Sequence, residues 1–183
     1  MRLYRQTVED FGLYAGLELE DTRLSELREA AGKMSARMRA VRIVSASSVS
    51  RRDLEQRLIH KGEDPTQARE AVQWMEDLDL VDDRKTAEQI VTRCASKGYG
   101  VSRAKQALYE KQIPKGLWEA VLADYPDQSE YILEFLRSKL SSGADQKEVK
   151  RCIDALLRRG HSYSQIRRCL DQLPLDTDEF PEG

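Results

Sequence analysis

The sequence predicts an all-α protein made of tandem three-helix repeats, with three units forming an elongated curved array. Its 183 residues are 34% charged, 40% hydrophobic and 7% aromatic, a composition typical of a helical protein with a large surface. Apolar residues recur at three-four spacing, and runs of β-branched residues are few. The helical pattern itself recurs after roughly 48 to 50 residues, the scale of a three-helix repeat. Three short helices bury little surface alone, so neighbouring units would share a core.

The helix signals predict nine main helices in three groups of three. An irregular lead covers residues 1–21, repeat one 22–82, repeat two 83–125, repeat three 126–173, and an acidic tail 174–183. Thr22 suits the N-cap of the first helix, and Pro65 suits the first turn of the third. The predicted helices run from Thr22 to about Val44, Arg51 to His60, Pro65 to Leu78, Asp83 to about Ser96, Ser102 to Lys111, Pro114 onward, Ser129 to Leu140, Gln146 to Arg158, and Ser162 to Leu173.

Two apolar columns relate the three repeats. A shift of 50 residues places Leu58 on Leu108, and a shift of 98 places it on Leu156. The same shifts place Val72 on Leu122 and on Leu170, and the second places Gly62 on Gly160. We expect all six members of the two columns to be buried, because each falls on the apolar stripe of its helix.

The joint between repeats one and two carries the clearest capping signals. Asp82 and Asp83 precede a helical stripe, and we expect Asp83 to be the N-cap, since its carboxylate can accept from free N–H groups. Gly98 suits the left-handed position that ends this helix. The two histidines, His60 and His161, sit near equivalent helix ends, where we expect them to act as C-terminal caps.

The sequence indicates a protein that is not an enzyme and has no cofactor or metal. No phosphate-binding glycine loop, catalytic triad or metal-ligand spacing is present. Cys94, Cys152 and Cys169 lack paired spacing, so we expect buried reduced thiols of a cytoplasmic protein. No membrane span or signal peptide is predicted, and we expect a monomer.

Charge is the strongest functional signal. The net charge is only −2, yet residues 30–52 contain no acid and residues 147–168 are rich in bases. Segregated charges of this kind favour binding of a charged partner, although ordinary solvated helix faces would give the same pattern. The candidate residues are Arg37, Arg39, Arg42, Arg51 and Arg52 in a first patch, Lys147, Lys150, Arg151, Arg158 and Arg159 in a second, and Lys61 and Arg103 outside both.

Several motifs in one register resemble those of the RecX family, bacterial regulators of the RecA recombinase. They cover about residues 8 to 173, and each alone is weak. The chain departs from the family pattern at Ser47 and Val49, where arginines are usual, and at Asp79 and Gln112, close to where glycines are usual. The motif residues are Ser50, Leu54, Leu58 and Lys61-Gly62, then Leu80-Val81-Asp82-Asp83 and Ala87, then Gly98-Tyr99-Gly100, Arg103 and Leu108.

The resemblance implies a regulator that acts on RecA in DNA repair, recombination and the SOS response. Members of the family bind in the groove of the RecA filament on single-stranded DNA, restrain ATP hydrolysis and strand exchange, and favour filament loss. Two alternatives stay open from the residues alone. One is a helical protein that binds nucleic acid directly, which predicts a steep salt dependence on DNA. The other is a helical scaffold for an unrelated protein.

Overall fold

The fold was analysed in a computed structural model that describes residues 3–141 and 143–174. Within these ranges the protein is all-helical and has no strand, which confirms the predicted fold class. The predicted acidic tail beyond Pro174 lies outside them. The helices are α1 (Arg5–Asp10), α2 (Asp21–Ala46), α3 (Arg51–His60), α4 (Pro65–Asp77), α5 (Asp83–Ser96), α6 (Val101–Glu110), a 3-10 helix (Lys115–Leu117), α7 (Trp118–Leu122), α8 (Ser129–Lys139), α9 (Gln146–Arg158) and α10 (Tyr163–Leu170).

The N-terminal ends of most helices follow the capping signals. Pro65 begins α4, and the Asp64 carboxylate before it accepts from the N–H groups of Thr66 and Gln67 at 2.8 and 3.2 Å. The prediction for Thr22 is wrong: α2 begins one residue earlier, and its N-cap, Glu20, makes no side-chain cap bond. Helix α1 is additional to the nine main helices predicted.

The chain divides after Thr86 into two compact units. In the first unit, α2, α3 and α4 enclose one apolar cluster built around Leu54, Leu58 and Met75. Val81, which follows α4, is buried in the same cluster. Burial of this kind stabilises a fold by about 25 cal/mol for each Å² of apolar surface, so these side chains hold the three helices together.

The second unit contains two apolar clusters. One joins Ala87 and Val91 of α5 to Leu108 and Ile113, and the other is formed by α8, α9 and α10. The three clusters follow the order of the three predicted repeats along the chain, but the division into three repeats stays a prediction. The members of the third cluster are Ile132, Leu136, Val149, Cys152, Leu156, Ile166, Cys169 and Leu170.

The column Leu58, Leu108 and Leu156 is fully buried, as predicted. In the second column Val72 and Leu170 are buried, whereas Leu122 is only half-buried, so the prediction is wrong at that position. The physical reason is the length of α7, which has five residues and follows a 3-10 turn. Leu122 is the last residue of this short helix, and it packs at the edge of its cluster.

Five helices end in the same backbone motif, which we call the left-handed helix end. After α3, the N–H of Gly62 donates to the Ile59 carbonyl at 2.9 Å, and the next N–H, of Glu63, donates to the Leu58 carbonyl at 3.1 Å. This is the Schellman arrangement, in which the residue directly after the C-cap, here Gly62, has a positive φ. The five residues with positive φ at these ends are Gly62 (89°), Asp79 (55°), Gly98 (67°), Gln112 (56°) and Gly160 (89°).

Asp82 and Asp83 divide the capping of two helices between them. The Asp82 carboxylate accepts from the N–H groups of Arg84 and Lys85 at 2.8 and 3.0 Å, so Asp82 caps α5. The prediction that Asp83 is the cap is therefore wrong, because Asp83 is already the first residue of the helix. Its carboxylate instead accepts from the N–H of Arg51 at 2.8 Å, at the start of α3. The bond from the Lys85 N–H holds the pKa of Asp82 below its usual range.

His161 is buried between two loops of the second unit rather than capping a helix from outside. Its Nε2 donates to the Gly98 carbonyl at 3.0 Å, because a carbonyl can only accept. Its ring stacks on Tyr131 with 6.1 Å between centroids. The Gly100 N–H donates to the Arg159 carbonyl at 3.0 Å, and a Cβ on Gly100 would overlap the Gly160 carbonyl. The expectation of a helix cap at His161 is therefore wrong.

Truncating Leu108 to Ala tests the core of the second unit. Because this side chain is fully buried, we expect Leu108→Ala to lower the free energy of unfolding by about 2–5 kcal/mol in urea titrations. Leu78→Ala is the control: Leu78 is 49% exposed, so its loss is expected to stay within about 0.5 kcal/mol. Equal effects of the two substitutions would contradict the assignment of the core.

Asp79 provides a test of the left-handed helix end. Its φ of 55° strains any residue that has a Cβ, so we expect Asp79→Gly to raise the free energy of unfolding by about 0.5–1 kcal/mol. Asp79→Ala is the matched control and is expected to lower it, because Asp tolerates this region better than Ala. The measurement is the midpoint of the urea titration. A higher midpoint for Asp79→Ala than for Asp79→Gly would refute the argument.

His161 predicts a specific pH dependence of stability. Burial lowers the pKa of His161 below its ordinary value of 6.5, so the folded chain keeps the ring neutral while the unfolded chain takes up a proton. The resulting stability is complete above pH 6.5 and is lost progressively as the pH falls towards the folded pKa. Urea titrations at pH 7.5 and 5.5 should therefore differ less in His161→Gln than in the unchanged chain. An identical pH dependence in both proteins would refute this role.

Candidate functional site

The first unit contains a groove with a strongly basic lining, which we call the basic groove. It has a volume of about 420 Å³ and lies between the C-terminal halves of α2 and α3. Four cations and three small or apolar residues line it, without a carboxylate among them. The lining residues are Arg39, Arg42, Ile43, Ala46, Ser47, Arg57 and Lys61.

Two of the four cations are held in place by carboxylates outside the groove lining. Arg39 pairs through Nε with the Glu63 carboxylate at 2.8 Å and donates through Nη1 to the Lys61 carbonyl. Glu63 is itself buried and accepts from Ser35 Oγ at 2.9 Å. Arg57 pairs with Asp53, four residues earlier on α3, at 2.8 Å. These contacts fix the walls of the groove and neutralise two of its charges.

Arg42 and Lys61 carry the remaining positive charge of the groove. Both are exposed, and no ion pair to either side chain is found in residues 3–141 and 143–174. The C-terminal end of the α3 dipole disfavours an anion nearby, but Arg39 occupies the Lys61 carbonyl at that end. The net field of the groove therefore attracts an anionic group such as a phosphate or a carboxylate.

The first predicted patch is divided by the structure. Only Arg39 and Arg42 of its five members line the basic groove. The guanidinium of Arg37 lies 5.0 Å from the centroid of the Trp74 ring, a cation–π contact that places it in the packing of the first unit. Arg51 pairs with Glu76 at 2.8 Å, whereas Arg52 is exposed at the start of α3.

Arg57 is the groove residue that the sequence analysis missed. It lies in a stretch of α3 that also carries acids, so the search for acid-free runs passed over it. Two signals in the sequence could have found it. The spacing of Asp53 and Arg57 is that of a helical ion pair, and Lys61 follows four residues later on the same face.

The second predicted patch lies on α9. Lys147, Lys150, Arg151 and Arg158 are all exposed on this helix. Arg159 is only half-buried, and its guanidinium lies 5.5 and 5.2 Å from the ring centroids of Tyr131 and Phe135. It therefore packs between α9 and α8 rather than extending into solvent.

The remaining candidate, Arg103, is engaged on its own helix. Its Nη1 lies 3.5 Å from the Glu110 carboxylate. Its backbone also borders Gly160, where a Cβ would overlap the Arg103 N–H. Arg103 thus lies on α6 against the turn at Gly160, and its charge is partly neutralised.

The part of the chain that the structure describes holds three buried thiols and no cluster of metal ligands. No group of three His, Cys, Asp or Glu side chains there is placed to hold a metal ion. Cys94, Cys152 and Cys169 are buried and unpaired, and burial raises the pKa of each thiol. Among the described helices, none is both long enough and apolar enough to cross a membrane.

Comparison with known proteins gives one consistent family. No model of a known protein family matches the chain. A protein of Halorhodospira halophila named regulatory protein RecX is 27% identical over 157 residues, which cover 84% of this chain and 97% of that protein. The proteins of the same name from Vibrio campbellii and Clostridioides difficile are 26% and 24% identical, over 75% and 97% of this chain. The chain is thus similar, over most of its length, to proteins named regulatory protein RecX.

Solved RecX structures have the same fold. A crystal structure of regulatory protein RecX superposes with a TM-score of 0.73 and 16% identity, over 93% of this chain and 87% of that one. A crystal structure of RecX from Lactobacillus salivarius gives 0.70 and 23% identity, over 79% of this chain and 97% of that one. At this identity the likeness establishes that the chain has the fold of these RecX structures.

The residues of the RecX motifs lie in the core and at helix ends. Ser50 is buried and caps α3, since its hydroxyl accepts from the Asp53 N–H at 3.1 Å. Gly62 and Gly98 occupy left-handed helix ends. Val49, at one of the departures from the family pattern, is buried, whereas Ser47 is exposed in the lining of the basic groove. The motif residues that are fully buried are Leu54, Leu58, Ala87 and Leu108.

Proposed function

We propose that this protein regulates the RecA recombinase by binding the RecA filament on single-stranded DNA. It would restrain ATP hydrolysis and strand exchange and promote filament disassembly. The observation that carries the proposal is the similarity to relatives named regulatory protein RecX, which are matched over nearly their whole length. The basic groove of the first unit supplies a surface for an anionic partner.

The groove and α9 suit different parts of such a partner. The groove combines two exposed cations, Arg42 and Lys61, with the apolar side chains of Ile43 and Ala46. It therefore fits an anionic group attached to an apolar one, such as a nucleotide or an acidic segment with an apolar residue. The cations exposed on α9 offer charge alone, which suits phosphates or acidic protein surfaces.

Binding alone would not change a filament. A ligand shifts an assembly only by preferring one of its states, so the protein must bind the inhibited or the shortened filament more tightly than the active one. On this proposal it acts without a cofactor and without chemistry of its own, as a cytoplasmic monomer.

A second candidate function is direct binding of nucleic acid. The observation that favours it is the group of four exposed cations on α9: Lys147, Lys150, Arg151 and Arg158. Two more exposed cations, Arg42 and Lys61, lie in the groove of the other unit. This function predicts tight binding to single-stranded DNA without RecA, with a steep dependence on salt.

Reversing the two exposed charges of the basic groove tests the proposal. We expect Arg42→Glu/Lys61→Glu to weaken binding to RecA filaments about tenfold at low salt, and to weaken it less at moderate salt, where the contact is screened. The measurement is fluorescence anisotropy of the labelled protein with filaments, together with the ATPase rate of RecA. Inhibition of the ATPase should weaken in parallel with binding.

A matched control isolates the groove. Arg93→Glu/Lys97→Glu makes the same change of net charge at exposed positions outside the groove, and it should leave binding within about twofold if long-range effects are screened. Reversal of Arg51 and Arg52 is a less clean test, because it would also break the pair between Arg51 and Glu76. Equal losses in the groove variant and the control would remove the groove from the proposal. Failure of the unchanged protein to bind filaments would overturn the proposed function.

Binding to single-stranded DNA alone separates the two candidate functions. If Arg42 and Lys61 contact two phosphates directly, the logarithm of the DNA-binding constant falls with the logarithm of the salt concentration. In Arg42→Glu/Lys61→Glu this fall should be less steep by about 1.4. If the unchanged protein binds filaments but not free DNA, the regulator is supported and the direct binder is excluded.

A further inference from the structure

Three of the exposed apolar or aromatic side chains share one structural position. Seven large side chains of this kind are exposed in the described part of the chain. Ile59 on α3, Tyr109 on α6 and Leu157 on α9 are 38%, 66% and 41% exposed. The other four are Tyr14, Leu78, Leu80 and Tyr163.

Hydrogen bonds establish that the three positions are equivalent. The carbonyls of Ile59, Tyr109 and Leu157 each accept the first bond of a left-handed helix end, at 2.9 Å in all three cases. The residue before each of them is a fully buried leucine of the column Leu58, Leu108 and Leu156. Each of the three thus stands on the solvent side of its helix, next to a leucine that points into the core.

The fold does not require a large apolar side chain at this position. The helix ends of α4 and α5 have the same bonds, and there the carbonyl acceptors are Glu76 and Ala95. The apolar contact that usually accompanies this motif joins two other positions, the third residue from the end and the second beyond the cap. Single exposed apolar residues are ordinary on protein surfaces. The presence of a large one at the same position of three helices, however, calls for an explanation other than the fold.

We propose that Ile59, Tyr109 and Leu157 are equivalent anchors for a repeating protein assembly, each entering an apolar pocket. This inference rests on the proposed function, which makes the RecA filament the assembly. Identical subunits offer the same pocket several times, so a chain that presents the same anchor three times matches them. Three modest contacts joined in one chain give high total affinity.

The surroundings of the anchors define the chemistry of the pocket. Two residues beyond Ile59, the C-cap residue Lys61 is basic and exposed, so a carboxylate beside that pocket would complement it. One turn before each anchor the side chain is polar and exposed, as Gln56, Gln106 and Asp154. An apolar centre with a polar rim is the usual composition of an energetic hot spot in a protein interface.

The test replaces the anchors by Gln, which keeps a good helix propensity. We expect Ile59→Gln, Tyr109→Gln and Leu157→Gln each to weaken binding to filaments about five- to tenfold, and the triple variant about a hundredfold or more. Helicity and melting should stay nearly unchanged, because the side chains are exposed. Tyr109→Phe should bind as the unchanged protein does, since it keeps the ring. The loss should persist at moderate salt, unlike that of the groove variant.

The matched control is the triple variant Tyr14→Gln/Leu78→Gln/Tyr163→Gln, which removes exposed side chains of the same kind at other positions. Binding equal to that of the unchanged protein is expected. If the protein binds filaments and the anchor variant binds equally well, or the control loses as much, the inference is wrong and the proposed function stands. If the unchanged protein does not bind filaments, both fail. Self-association abolished by the anchor variant would make a second copy the occupant and overturn the assignment to a filament.

Discussion

The left-handed helix end is the constraint on which the rest of the structure depends. It turns the chain sharply after α3, α6 and α9, and it carries the second residue beyond each cap back into the fold. That residue is buried each time, yet its chemistry differs: Glu63, Ile113 and His161. Glu63 holds Arg39 at the basic groove, Ile113 extends an apolar cluster, and His161 ties two loops together. One backbone geometry thus supports three different local structures.

The groove shows how a buried carboxylate can shape a basic surface. Glu63 would be unfavourable inside the protein without partners, and it has two, Arg39 and Ser35. The pair leaves Arg39 fixed in direction, with little freedom to reach towards a ligand. Specific contact with an anion then falls to Arg42 and Lys61, whose long exposed side chains can adapt to it. A groove with one fixed cation, Arg39, and two adaptable ones suits a partner whose negative charges are spaced along a chain.

Much of the fold could be predicted because glycine, proline and apolar spacing are local signals. Helices α3 and α9 begin and end where these signals place them. Side-chain roles were less predictable, because they depend on what lies across the fold. Asp82 and Asp83 are equally good caps by residue type. The choice between them depends on where α5 begins, and because it begins at Asp83, the cap is Asp82. Charge runs likewise located Arg37 and Arg159 but could not reveal the rings of Trp74 and Tyr131 that hold them.

Asp79 and Gln112 have a consequence for how such proteins diverge. Each keeps a positive φ without being glycine, and the helix before it still ends with the same two bonds. A residue at such a site needs only to reach this backbone angle, so Asp or Gln can stand where glycine would be free of strain. Exchange of the residue that ends a helix can therefore leave the architecture intact. Helices that end in this way are accordingly better recognised by where they stop than by the letters that stop them.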